Sequence, residues 1–129
     1  MASETAERFM RTLQEAERSG DVAGLVTLFS TDARLSNLAG EAPLEGRPGA
    51  SAFWGAYLGV FDTIRSRFTH VTEGPDRIVL EWVSDGALRG GSTVSYQGVS
   101  VLETSDGLVR RFRSYYDSAA LRPIAVAKA

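Results

Sequence analysis

The spacing of apolar residues changes near the middle of the chain, and this change limits the folds that the chain can adopt. Up to Arg65, apolar residues recur every three or four positions, which places them on one face of a helix. Beyond Arg65 they alternate with polar residues, as in strands that bury one face, and turn residues separate the alternating runs. Helices followed by successive strands are typical of an α+β domain with its helices grouped on one face of a sheet.

The first half of the chain is expected to hold three helices and one strand. In the first helix Phe9, Leu13 and Ala16 share a face, and Ser19-Gly20 ends it. The predicted helices cover residues 3–18, 21–30 and 49–65, and the strand covers 33–38.

The second half is expected to form four consecutive antiparallel strands. Turn sequences such as Gly74-Pro75-Asp76 and Ser105-Asp106-Gly107 separate them. The predicted strands cover residues 67–73, 77–84, 92–103 and 108–117. We therefore predict a curved antiparallel sheet, enclosed by three helices, around a cavity in which a ligand site is most expected.

Composition excludes several classes of protein. A chain of 129 residues is expected to form one domain, here residues 1–129. A net charge of −2 gives no basic surface for nucleic acid, and no segment has the length of apolar sequence that crosses a membrane. Zero cysteines and a single histidine argue against a metal site or a cysteine nucleophile, so we expect no cofactor. The N-terminus has no apolar stretch of a secretion signal, which predicts a cytoplasmic protein.

Several short segments resemble the nuclear transport factor 2-like superfamily, also called SnoaL-like, which includes ketosteroid isomerase, limonene epoxide hydrolase and polyketide cyclases. These segments are Ser19-Gly20-Asp21, Leu28-Phe29-Ser30-Thr31-Asp32-Ala33, Gly46-Arg47 and Arg113-Ser114-Tyr115-Tyr116-Asp117. The resemblance implies a cone-shaped sheet around a cavity. It says little about the reaction, because this fold supports unrelated chemistries.

The residues that the isomerase uses do not carry over to this chain. The resemblance places Asn37 at the position of the catalytic aspartate, and Leu13 and a position near Val99 where the isomerase has its oxyanion donors. An asparagine cannot accept the proton that this base removes, so isomerase chemistry of that type is not expected.

The epoxide hydrolase pattern is also incomplete. Its arginine and two aspartates correspond here to Trp82, Ser84 and Ser114, whereas Asn37 matches an asparagine that positions the attacking water. The chain therefore resembles the scaffold without the carboxylates of the known enzymes.

Strand alternation predicts which side chains face the cavity. We expect His70 and Asn37 to be the catalytic residues, because histidine titrates near neutral pH and an amide can hold a substrate oxygen or a water. A core histidine bonded to a backbone carbonyl, and an asparagine that only satisfies its loop, are the structural alternatives. The predicted substrate-binding residues are Trp54, Tyr57, Trp82, Ser84, Phe112, Ser114 and Tyr116.

Two functions are compatible with such a cavity. One is an enzyme of the isomerase, dehydratase or cyclase type acting on a small hydrophobic, polyketide-, terpenoid- or steroid-like molecule. The other is a non-catalytic protein that binds such a molecule. The convex face, with Arg111, Arg113 and Tyr115, is expected to form a homodimer, although a solvated charged face is an equal alternative.

Overall fold

A computed structural model describes residues 2–37 and 43–121. The helices are α1 (Glu4–Ser19), α2 (Ala23–Val26), α3 (Gly46–Leu58) and a short 3₁₀ helix (Ser118–Leu121). The strands are β1 (Phe29–Asn37), β2 (Leu44–Glu45), β3 (Phe61–Gly74), β4 (Arg77–Leu88), β5 (Thr93–Ser105) and β6 (Leu108–Tyr116). Leu38, the last residue of the first predicted strand, lies outside the described residues.

The strands form one sheet in the order β2-β1-β6-β5-β4-β3. The predicted α+β fold, with three helices and a curved sheet, is confirmed. The expectation of an entirely antiparallel sheet is wrong at one place, because β1 pairs with β6 in parallel. The chain reverses direction three times between β3 and β6. As a result β6 lies beside β1 and runs in the same direction.

Helix α1 forms where its sequence predicts it. The Ser3 hydroxyl accepts a hydrogen bond from the Ala6 amide at the N-terminus, and Gly20 ends the helix in the left-handed conformation with φ of 80°. Phe9 and Leu13 lie on the buried face of the helix. This apolar stripe attaches α1 to the sheet.

The boundary between α3 and β3 differs from the prediction. The helix ends at Leu58 instead of continuing to residue 65, and β3 begins at Phe61. Phe61 and Ile64 are both buried although they are three positions apart, because the strand register shifts between Phe61 and Thr63. This irregularity in a strand reproduces the spacing of a helix, which explains the error.

The buried side chains form two adjoining clusters on the helical side of the sheet. The larger cluster packs α1 and α3 on the sheet, with Phe9, Trp54 and Phe112 in mutual aromatic contact. The smaller cluster contains Trp82 and Tyr96, whose ring centroids are 5.5 Å apart in an edge-to-face arrangement. The candidate site lies where the two clusters meet.

Gly98 provides the space in which the Trp82 indole lies. The two residues are directly opposite each other in neighbouring strands. A Cβ atom on Gly98 would lie 2.5 Å from the Trp82 ring and 2.6 Å from the Tyr115 carbonyl oxygen, both too short for unbonded atoms. Any larger residue at position 98 must therefore displace the indole or the neighbouring strand.

We expect Gly98→Ala to lower the free energy of unfolding by about 1–3 kcal/mol, because it overpacks a filled part of the core. Urea denaturation followed by tryptophan fluorescence measures the change. Gly55→Ala is the matched control, since a Cβ there meets nothing within 4 Å and the helix gains about 1 kcal/mol when alanine replaces glycine. Equal stability of the Gly98→Ala and wild-type proteins would contradict the conclusion that Gly98 provides the space for the Trp82 indole.

Candidate functional site

A cavity lies between α1, α3 and the helical side of the sheet. Its walls are formed by Leu13, Glu17, Phe53, Trp54, Tyr57, Ser66, Phe68, Trp82, Ser84, Ser100, Phe112, Ser114 and Tyr116. This set includes all seven residues that the sequence predicts to bind substrate. The free volume is about 30 Å³, which leaves room for only a few water molecules. A larger ligand therefore has to widen the cavity as it binds.

Polar groups in and behind the cavity wall form a row that we call the Glu17 chain. It consists of Glu17, Ser66, Ser84, Tyr96 and Tyr57. The Ser66 hydroxyl donates to Glu17 Oε2 over 2.5 Å and lies 2.5 Å from the Ser84 hydroxyl. Ser84 is directly opposite Tyr96 on the same buried face, and its hydroxyl lowers the pKa of the Tyr96 phenol. The Tyr96 and Tyr57 hydroxyls are hydrogen-bonded to each other.

Glu17 is drawn to Ser66 by the exposed edge of the sheet. β3 is an edge strand, so backbone groups on its outer side have no neighbouring strand to bond. Glu17 Oε1 accepts the Ser66 amide hydrogen over 2.8 Å, and Gln14 Nε2 donates to the Ser66 carbonyl over 3.1 Å. Helix α1 thus replaces the missing strand at this residue and brings a carboxylate into the cavity wall.

The enclosed environment changes the acidity of this chain. Burial raises the pKa of the Glu17 carboxyl above its ordinary value of 4.5, and the hydrogen bonds from Ser66 offset part of that rise. Burial also raises the pKa of the Tyr57, Tyr96 and Tyr116 phenols. The phenols therefore remain protonated donors, while Glu17 is a carboxyl that can hold or release a proton closer to neutral pH.

A second polar row crosses the sheet on the same side. The Trp82 indole donates to the Ser100 hydroxyl over 2.9 Å, and Ser100 is 3.1 Å from the Ser114 hydroxyl. Asn37 lies directly beside Ser114 in the next strand but is not among the residues that line the cavity. Its Oδ1 and the Nε1 of Trp54 are buried and have no hydrogen-bond partner among the described residues.

The expectation that His70 lies inside the cavity is wrong. The strand register shifts between Phe68 and His70, so that Thr69 is an extra residue in β3. Beyond this bulge Val71 faces the core, and the His70 side chain is 71% exposed on the opposite face, 3.7 Å from Glu81. Because one extra residue reverses the faces of a strand, alternation from Phe68 gave the wrong side for His70.

Glu17 is the residue of this site that sequence reasoning missed. It follows Ala16 and lies four positions after Leu13, so it continues the buried stripe of α1 instead of the charged face. A charged residue on an apolar stripe was the available signal. Its partner Ser66 is more than 40 positions away in sequence, and only the fold brings the two together.

We expect Glu17→Gln to stabilise the protein at mildly alkaline pH and to have little effect at acid pH. Folding that raises a carboxyl pKa contributes stability below the unfolded pKa, and this contribution is lost as pH rises through the folded pKa. The glutamine variant does not undergo that loss. Thermal unfolding at several pH values measures the difference in Tm, with the exposed Glu15→Gln on the same helix as control. A pH-independent difference would contradict the buried carboxyl.

Neither a metal site nor a membrane-spanning helix is found in the described part of the chain. Within residues 2–37 and 43–121, no three acidic, histidine or cysteine side chains are grouped as metal ligands. No helix in the described part of the chain is long and apolar enough to cross a membrane.

Comparison with solved structures shows how widely this fold occurs. An NTF2-like protein from Anabaena variabilis is 16% identical, with a TM-score of 0.82 over 93% of this chain and 96% of that one. TerC, crystallised with polyporic acid, is 20% identical, with a TM-score of 0.75 over 92% and 95%. RV0760c from Mycobacterium tuberculosis, in complex with estradiol-17beta-hemisuccinate, is 16% identical, with a TM-score of 0.74 over 92% and 98%. At these identities the likeness shows the fold alone.

Comparison of the sequence itself gives the family. No curated protein matches the chain. The family model of the SnoaL-like domain matches residues 6–112, which include the two main helices and most of the sheet. The chain therefore belongs to the SnoaL-like domain family.

Proposed function

We propose that the cavity binds a small, largely apolar molecule and that Glu17 transfers a proton on it, as in an isomerase, dehydratase or cyclase. The observation that carries this proposal is the position of Glu17. It is the one carboxylate among the residues that form the cavity wall, and aromatic side chains occupy most of the rest. Partial burial and a raised pKa suit a carboxyl for proton transfer near neutral pH.

The phenols complete the chemistry that this reaction needs. Removing a proton beside a carbonyl leaves negative charge on the substrate oxygen, and a neutral donor in an apolar site stabilises that charge strongly. Tyr57 and Tyr116 line the cavity and remain protonated. Either hydroxyl can donate to such an oxygen while Glu17 holds the proton.

Asn37 and Trp54 are proposed to orient the ligand instead of reacting with it. A buried polar atom without a partner costs free energy, which a ligand can recover by bonding to it. The Trp54 indole offers a donor and the Asn37 amide offers an acceptor, both buried. A ligand carbonyl would accept from the Trp54 indole, and a ligand hydroxyl would donate to the Asn37 amide oxygen. Asn37 lies beside Ser114 outside the cavity lining, so a ligand reaches it by widening the cavity, and its proposed role changes from catalysis to positioning.

The ligands of two structural relatives support a planar or alicyclic molecule. One relative was crystallised with polyporic acid and another with estradiol-17beta-hemisuccinate. The aromatic walls of this cavity, among them Trp54, Trp82 and Phe112, suit rings of the same kind.

We expect the protein to catalyse hydrogen exchange beside the carbonyl of a cyclic ketone. The probes are 2-tetralone and estrone, and the measurement is loss of the α-proton NMR signal in D₂O. Glu17→Gln should slow the catalysed exchange by about 10²- to 10⁴-fold, the usual contribution of a general base. Glu15→Gln, an exposed residue on the same helix, should not change it.

The same experiment separates the enzyme from the alternative of a binding protein. The small free volume and the absence of the carboxylates used by known relatives favour that alternative. A protein that only binds the probe would show a higher Tm in its presence without any exchange above that of buffer. Exchange that is equally fast with Glu17→Gln would exclude Glu17 as the base.

The outer face of the sheet is proposed to form a homodimer. We define this face by Val79, Val83, Val99, Val101 and Tyr115, which point away from the helices. Val79 is opposite Val101, and Val99 is opposite Tyr115, so the apolar side chains are adjacent across three strands. Tyr115 is 42% exposed.

Some of the charges beside this strip are paired within the chain, while Glu81 lies directly opposite Val99. Glu103 binds Arg113 over 2.7 Å and lies within 4 Å of Arg77 and Arg111. An apolar centre with a polar border is the usual composition of a protein interface.

We expect Val99→Glu to convert the dimer to a monomer, because it places a second carboxylate directly opposite Glu81 in the centre of the interface. Sedimentation velocity at micromolar concentration measures the mass. Val60→Glu is the control, since Val60 is an exposed valine that lies in the turn between α3 and β3, away from this face. A wild-type monomer at that concentration would exclude the proposed interface.

A further inference from the structure

The direction of the hydrogen bonds along the Glu17 chain depends on the ionisation state of Glu17, because each hydroxyl group of the chain can donate only one hydrogen bond. When Glu17 is ionised it can only accept, so Ser66 donates to it, and Ser84 must then donate to Ser66. Completing the row requires a bond between Ser84 and the phenol of Tyr96 opposite it, in which Tyr96 donates, while Tyr57 donates to Tyr96. Every hydrogen in the row then points toward the carboxylate.

Protonation of Glu17 allows the opposite order. The carboxylic acid donates to Ser66, Ser66 donates to Ser84, Ser84 donates to Tyr96, and Tyr96 donates to Tyr57. The Tyr57 hydroxyl has then accepted a bond and is free to donate its own hydrogen into the cavity, which it lines. The ionisation state at one end of the row thus decides what the other end offers to a ligand.

We infer that the Glu17 chain is a proton relay, in which Ser66, Ser84 and Tyr96 couple the carboxyl of Glu17 to the hydroxyl of Tyr57. This inference rests on the proposed function and specifies how its two ends cooperate. Glu17 and Tyr57 act on the ligand directly, and the three residues between them are positioning residues.

The relay balances as a reaction step. Glu17 takes the proton from a substrate carbon, which breaks the C–H bond and forms the O–H bond of the acid. Glu17 then gives a proton to Ser66, each hydroxyl passes one on, and Tyr57 delivers its proton to the substrate oxygen. Each group in the row gains and loses one hydrogen, Glu17 returns to the carboxylate, and the substrate has changed from a ketone to its enol.

The position of Glu17 also gives the relay a connection to solvent. Besides the cavity, Glu17 lines an outer groove of about 310 Å³ between α1, α3 and the start of β3. Ser66 and Ser84 are buried, and so is Tyr96. Within the described residues the carboxyl therefore stands between an outer groove and an enclosed row of hydroxyls.

Any titration of Glu17 has to be distinguished from the titration of the other ionisable groups near it. The ionisable residues that border it are Arg18, Tyr57, Asp62, Arg89 and Tyr96, while Arg65 and Arg67 flank Ser66 as exposed residues of β3. Asp62 is the other carboxylate in this set, so Asp62→Asn is studied beside Glu17→Gln.

The test uses the free protein labelled with ¹³C at tyrosine Cζ, whose chemical shift depends on the hydrogen bonds of the phenol. The chain has four tyrosines, so the resonances can be assigned by single substitutions to phenylalanine. On titration across the acid to neutral range, the Tyr57 and Tyr96 resonances should move with the midpoint of the Glu17 carboxyl. The movement should be lost in Glu17→Gln and retained in Asp62→Asn.

Ser84→Ala provides the decisive variant, since it breaks the row without touching the bonds between Glu17 and Ser66. We expect Glu17 to titrate as before while the Tyr57 resonance no longer follows it, and Tyr96→Phe should give the same result if Ser84→Ala does not fold. Ser100→Ala, a buried serine of the other row, should leave the coupling intact. A Tyr57 resonance that ignores Glu17, or that still follows it in Ser84→Ala, would overturn the relay.

This measurement needs no substrate, so its outcome is independent of the exchange experiment. A coupled Tyr57 without catalysed exchange would contradict the proposed enzyme but not the relay. Exchange that depends on Glu17 without any coupling would contradict the relay but not the enzyme.

Discussion

The attachment of α1 to the edge strand β3 is the interaction on which the candidate site depends. An edge strand leaves backbone donors and acceptors without partners, and at Ser66 the side chains of Gln14 and Glu17 satisfy both. The same contact closes one side of the cavity and supplies its carboxylate. Glu17 therefore contributes both to the stability of the fold and to the proposed chemistry. The effect of a substitution at Glu17 has to be measured on folding as well as on turnover.

Much of the fold followed from local patterns in the sequence. Strand alternation correctly assigned the inward faces of β4 and of β6 from Phe112 onward, which is why Trp82, Phe112 and Ser114 were placed in the cavity wall. It was wrong for Arg110, which is exposed because the register shifts at the start of β6. Alternation failed in β3, where a register shift near Asp62 and an extra residue at Thr69 change the face that each side chain takes. Bulges carry little sequence signal, so the exposure of His70 could not be deduced from spacing.

The carboxylate of the site was overlooked for a different reason. Its partner lies on a strand far away in sequence, and no spacing rule connects a helix residue to the open edge of a sheet. The resemblance to the isomerase and the epoxide hydrolase directed attention to strand positions, which hold Asn37, Ser84 and Ser114 here instead of carboxylates. Helix α1 supplies one from the other side of the cavity, so the loss of the strand carboxylates does not leave the cavity without an ionisable group.

The bulge in β3 has an effect beyond the position of one side chain. It moves the sole imidazole of the chain to the surface beside Glu81, on the side of the sheet that carries the half-buried valines. Glu17 titrates on the other side, within the hollow. The proposed dimer surface and the proposed proton-transfer site would thus occupy two layers separated by the thickness of a single sheet, and each could be altered by substitution without disturbing the other.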